Sequence, residues 1–134
     1  MTGKIINLPK ITDPRGNLSV IEEFAHIPFE IKRTYLIYDV PGGQARGGHA
    51  FKNQCEFIVS LSGSFDVHLD DGNHNKVYSL NRSYYGLYVP FMIWRRMKNF
   101  STNALCLVLS SSVYDPDDYL RDYSLFLEIT GSIS

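Results

Sequence analysis

The residues of this chain that could do chemistry sit in two short stretches. The first runs Gly43, five residues, His49, one residue, Phe51, four residues, Glu56, six residues and Gly63; the second runs Gly86, three residues, Pro90, then Trp94, Arg95 and, after three more, Asn99. His49 is the natural acid or base among them, because an unperturbed imidazole titrates near about 6.5 and keeps a useful neutral fraction at the pH of a cell. Arg95 is the natural partner for an anion. Placed between Trp94 and Met97 in an apolar stretch, it faces a large desolvation cost unless a diphosphate, a sugar oxyanion or a carboxylate such as Glu22, Glu23 or Glu56 meets it.

The spacing of the two stretches is that of the cupins, small jelly-roll β-barrels. A metal-binding cupin puts His at 49, His at 51, Glu or Gln at 56 and His at 95, and this chain has Phe51 and Arg95 at two of those places. Transition-metal sites need at least about three converging N, O or S donors. A phenyl ring and an always-protonated guanidinium have no lone pair to give. A metal-free site with no cofactor is therefore expected, with His49 released for proton transfer.

Short β-branched or alternating runs recur along the chain with turn residues between them: IINL, NLSVIEE, IKRTYLIYDV, EFIVSLSG, SFDVHLDDG, KVYSL, YYGLYV and ALCLVLSSS. Ser62-Gly63 and Asp71-Gly72 are hairpin points. In the tail, Asp115 as N-cap, Pro116 at the first helical position and an apolar face of Tyr119, Leu120, Tyr123 and Leu127 predict a helix. The expectation is all-β: one cupin barrel over 1–134 with a short C-terminal helix.

Composition bounds the partners. A chain of 134 residues, 44% hydrophobic and 13% aromatic, can bury one sizeable core. A net charge of −1 lacks the basic excess that nucleic-acid binding uses. The opening MTGKIINLPK has no long apolar run, no stretch approaches the length of about eighteen apolar residues that spans a bilayer, and the two cysteines, Cys55 and Cys106, read as reduced thiols. A soluble, cytoplasmic protein is expected, with neither nucleic acid nor membrane as partner.

Four stretches, IPFEIKRTYLIYDV, ARGGHAFK, GLYVPFMIWRRM and VYDPDDYLRDY, resemble those of the sugar 3,4-ketoisomerases that act on dTDP-4-keto-6-deoxyglucose, the WxcM C-terminal-like cupins, over nearly the whole chain. The resemblance implies conversion of a dTDP-linked 4-keto-6-deoxy sugar to the 3-keto sugar, on the way to 3-amino-3,6-dideoxyhexoses of surface glycans, by a homodimer with exchanged N-terminal strands. It implies His49 as the base and Tyr35 as its partner. Arg15, Arg33 and Arg46 fall in segments that match the family's binding face and suit a diphosphate. Arg95, Trp94, Glu56 and Phe51 complete the substrate-binding set, and Tyr38, Tyr88 or Trp94 could stack on the base.

The departures cluster around the same residues. Family members usually read His-Ala/Ser-His-Lys where this chain has His49-Ala50-Phe51-Lys52; Cys55-Glu56 replaces a Glu-Gln pair, and Arg95-Arg96 replaces Arg-Glu or His-Glu. Arg15 and Arg95 match positions that vary between gluco and galacto producers, so the C4 configuration stays open. Two other readings are a keto-sugar 3,5-epimerase, which wants a His-Asp dyad that is not evident, and a non-catalytic sugar-nucleotide-binding barrel, which the loss of the second histidine favours.

Overall fold

Alternating strands give two sheets with the core between them. A computed structural model describes residues 3–131. The first sheet runs in the order β1 (Lys4–Asn7), β9 (Tyr85–Val89), β6 (Glu56–Ser62), β11 (Leu105–Ser110) and β4 (Arg33–Tyr38); the second runs β12 (Tyr119–Leu120), β5 (Arg46–Phe51), β10 (Trp94–Lys98), β7 (Phe65–Asp70) and β8 (Asn75–Leu80). Ile58, Leu87, Cys106 and Val108 from the first sheet pack against Phe65, Val67, Leu69, Leu80 and Met97 from the second. Leu8, Ile27 and Phe29 cover the outer side of the first sheet at Phe57, Val59 and Leu109, while Phe126 of helix α1 (Tyr123–Ile129) covers the second at Ala50.

The closed barrel expected from the sequence is not formed. The two sheets stay separate, with β1, β4, β12 and β8 at their edges. β1 has four residues and β12 two, too short to carry a hydrogen-bonded ladder around a corner between sheets. A third, two-stranded sheet, β2 (Lys10–Asp13) with β3 (Gly16–Ser19), pairs with neither of the others.

Each alternating run contains strand, although NLSVIEE contributes only part of β3. Gly63 and Gly72 take the left-handed conformations that favour glycine, φ +68° and +99°, but only Asp71-Gly72 closes a hairpin, between β7 and β8; Ser62-Gly63 instead carries the chain from β6 in the first sheet to β7 in the second. The tail departs from its expectation. Asp115 caps a single 3₁₀ turn, Pro116–Asp118, accepting from Asp117 N at 3.0 Å. Tyr119 and Leu120 are then extended and pair with Phe51 and Ala50 of β5, so the helix begins only after a second cap, Asp122. The strand pairing and burial of Leu120 outweigh a helical pattern that the sequence alone supports equally well. No helix among the described residues is long and apolar enough to cross a membrane.

Candidate active site

Strand register assembles the site from two facing rows. In the first sheet Ser110 lies opposite both Arg33 and Glu56, so β4, β11 and β6 present Arg33, Ser110 and Glu56 side by side. In the second, His49 of β5 lies opposite Arg95 of β10. The pairing of β5 with β10 then slips, from Arg95↔His49 to Met97↔Arg46. One extra residue on β5 makes a β-bulge, and Gly47 at φ +84° accommodates it. Without the bulge Gly47 would stand opposite Met97 and Arg46 would face outward. With it, Arg46 joins Arg33, Tyr35, His49 and Met97 around a cavity of about 370 Å³.

Glu56 is the electrostatic centre. Its fully buried carboxylate accepts from Arg95 Nη1 at 2.8 Å, Tyr35 Oη at 2.6 Å and Ser110 Oγ at 2.9 Å, with Arg33 Nη2 at 3.8 Å. Among the carboxylates and anions open to Arg95 in the sequence, Glu56 is the one it meets within the chain. Its guanidinium also donates to the Ile93 carbonyl at 3.0 Å and lies over the Phe51 ring, 4.9 Å from its centroid. Burial first, then the Glu56 carboxylate, hold the Tyr35 phenol protonated well above its ordinary range. Because that proton points to Glu56, the phenol offers lone pairs to anything in the cavity.

His49 is held as a neutral base. Burial first, then the positive charges of Arg95, Arg121 and Arg33, push its pKa down to about 3. Its ring packs against Phe51 at 4.7 Å and Tyr119 at 5.0 Å, and its Nε2 is buried without a protein partner. Phe51, itself fully buried, contributes to the dryness that disfavours imidazolium. Replacing it with the motif residue, Phe51→His, should raise the His49 pKa and so move the acidic limb of a pH–rate profile upward. An unchanged limb in a folded Phe51→His variant would show that residue 51 is not coupled to the base.

The structure does not bring every expected residue to the cavity. Arg15 sits at the β2–β3 turn, exposed and paired with Asp13 at 2.7 Å. Trp94 points to the outer face of its sheet, where it packs on Tyr123 and Phe126. Tyr88 also lies outside the cavity, against Phe29 and Cys55. Conversely, Tyr114, Tyr119 and Arg121 line the cavity and were not among the expected site residues. Arg121 lies 4.3 Å over the Tyr119 ring. The signal that could have found them is the alternation of Tyr119 and Arg121 about Leu120, which a helical reading of the tail obscures. Among the described residues no group of three or more His, Cys, Asp or Glu is placed to hold a metal ion.

Fold and site together define a two-sheet β protein in which a neutral buried histidine and three arginines, Arg33, Arg46 and Arg121, share one cavity. The chain belongs to the FdtA family, described as WxcM-like, C-terminal, whose model matches residues 1–131. It is 43% identical over 134 residues to the TDP-4-oxo-6-deoxy-alpha-D-glucose-3,4-oxoisomerase of Aneurinibacillus thermoaerophilus, covering 100% of this chain and 96% of that one. A 3,4-ketoisomerase from Helicobacter canadensis has a similar structure, with a TM-score of 0.94 and 41% identity over 98% of each chain. The QdtA 3,4-ketoisomerase of Thermoanaerobacterium thermosaccharolyticum, solved in complex with TDP, gives a TM-score of 0.94 at 34% identity over 97% of this chain and 95% of that one.

Proposed function

We propose that residues 1–134 form one jelly-roll cupin domain that acts in the cytoplasm as a metal-free 3,4-ketoisomerase on a dTDP-linked 4-keto-6-deoxy sugar. The observation that carries the reading is that two side chains lining the cavity, His49 and Arg33, hold polar atoms without a protein partner: His49 Nε2 with Arg33 Nε and Nη1. A neutral imidazole nitrogen beside guanidinium donors suits an enediol pathway on an anionic substrate: a base for a carbon-bound proton and positive charge for the diphosphate.

In this pathway His49 removes the proton at C3, the carbonyl electrons move onto O4, and the proton is returned at C4. The carbonyl is then at C3. At the enediol stage O3 releases its hydroxyl proton and O4 gains one by exchange with water, and Tyr35, whose own hydrogen goes to Glu56, contributes lone pairs that can accept a hydrogen bond from the substrate hydroxyl. Arg33 and Arg46, joined by Arg121, are assigned to the diphosphate. Arg95, tied to Glu56, supports the site's charge from behind Phe51. The donor set favours a metal-free reaction, since position 51 offers no ligand atom and the guanidinium at 95 is already engaged.

A homodimer with exchanged N-terminal strands is supported by the unpaired β2–β3 hairpin, which exposes Ile11 and Leu18 opposite one another. Arg15, at its tip, is assigned to substrate only within such an assembly. The direct test is incubation with dTDP-4-keto-6-deoxyglucose in deuterated water. A new 3-keto sugar with deuterium at C4, beside recovered 4-keto sugar with deuterium at C3, is the expected result; binding of the nucleotide sugar with no new keto product would reduce the protein to a binding module.

A further inference from the structure

Arg33 is not fixed by Glu56, whose Oε2 stands 3.8 Å from its Nη2, beyond hydrogen-bond range. The closer acceptor is Gln54 Oε1, at 3.1 Å from the same nitrogen, with Ser110 Oγ at 3.4 Å. An acceptor on Nη2 leaves Nε and Nη1, which are buried without a protein partner, in a side chain that lines the cavity. Gln54 is a neutral amide. It therefore orients the guanidinium without setting a second carboxylate beside it, as a glutamate would.

A primary amide can turn over, so something must fix its direction. Asp118 does this. Its buried carboxylate accepts from Gln54 Nε2 at 3.1 Å and from Gln54 N at 3.2 Å through Oδ2, and from Asn53 Nδ2 at 2.9 Å through Oδ1. A flipped amide would set its oxygen against a carboxylate and its NH₂ against a guanidinium that can only donate. The chain from Asp118 through Gln54 to Arg33 thus has a single polarity. The same segment is tied to β5 by Lys52 N to Asp118 O at 2.9 Å and by Lys52 Nζ to Asp117 O at 3.0 Å. Next along it are Tyr119 and Arg121, on the cavity wall.

We propose that Gln54 and Asp118 are positioning residues for the anion-binding wall: Asp118 sets the direction of the Gln54 amide, and Gln54 aims the Arg33 guanidinium at the ligand. The proposal rests on the assignment of Arg33 to the diphosphate. Neither residue touches the ligand.

The test is a double-mutant cycle on the full chain, with dTDP as the probe and calorimetric titration as the readout, alongside a melting curve for each variant. Gln54→Leu should weaken dTDP binding about fivefold to tenfold in the parent, and by less than about twofold in an Arg33→Ala background, because its effect runs through Arg33. Equal losses in the two backgrounds would mean that Gln54 supports the fold at large, and no loss in the parent would mean that Arg33 needs no guide; either result overturns the proposal. Should Gln54→Leu not fold, Gln54→Asn, too short to reach Arg33 but still polar, gives the same comparison. An Arg33→Ala variant that binds dTDP as tightly as the parent would overturn the diphosphate assignment itself, and would do so before Gln54 is altered.

Discussion

Replacing His49 with asparagine or alanine is expected to lower isomerisation by about 100- to 10,000-fold, the usual cost of removing a general base, while dTDP binding stays within a few-fold. The two effects separate because the imidazole makes no contact that an anion would use. It is neutral, with its pKa pushed down to about 3, and its Nε2 has no protein partner. Losing it removes the proton acceptor and leaves the guanidinium wall in place, so turnover falls with little change in affinity. Single-turnover rates beside calorimetric binding would decide the matter. If turnover stays near that of the parent, His49 is a packing residue and the base must be sought elsewhere, with Glu56 the next candidate.

The second large effect concerns Glu56 and falls on stability. Glu56→Leu is expected to cost about 3–5 kcal/mol of folding free energy, the range for breaking a buried ion pair from one side. Arg95 is fully buried and its carboxylate partner is Glu56; Ser110 and Tyr35 also direct hydroxyl hydrogens to that carboxylate. Removing it strands a guanidinium in an apolar interior. Adding Arg95→Met should recover part of the loss, because the cost lies in the unpaired charge. Urea unfolding of the two variants reads both numbers, and a Glu56→Leu loss under about 1 kcal/mol would show that water or rearrangement relieves Arg95.

What was legible in the sequence divides along physical lines. Strands with one apolar face announced themselves by alternation, as EFIVSL and ALCLVL do. β5 and β10, which carry His49 and Arg95, did not: two glycines interrupt RGGHAF and three cations interrupt WRRMK, residues that weaken strand propensity because they serve the bulge and the charge network. The spacing of the two stretches nevertheless marked both positions. The tail failed for another reason. Its apolar spacing fits a helix as well as a two-residue strand followed by a helix, and only pairing with Ala50 and Phe51 decides between them. Trp94 was drawn toward the site by its neighbour Arg95, yet adjacent strand residues face opposite ways.

The slip at Gly47 separates two properties that usually change together. His49 lies on one side of it and Arg46 on the other, so the facing of the guanidinium is indexed independently of the base. A lineage could lose or regain that cation by deleting or restoring one residue at the bulge within β5, altering which anionic handle a sugar must carry, without moving the atom that handles the proton. The strand thus behaves as two modules joined by a phase shift, one free to track the ligand's leash while the other is held to the chemistry.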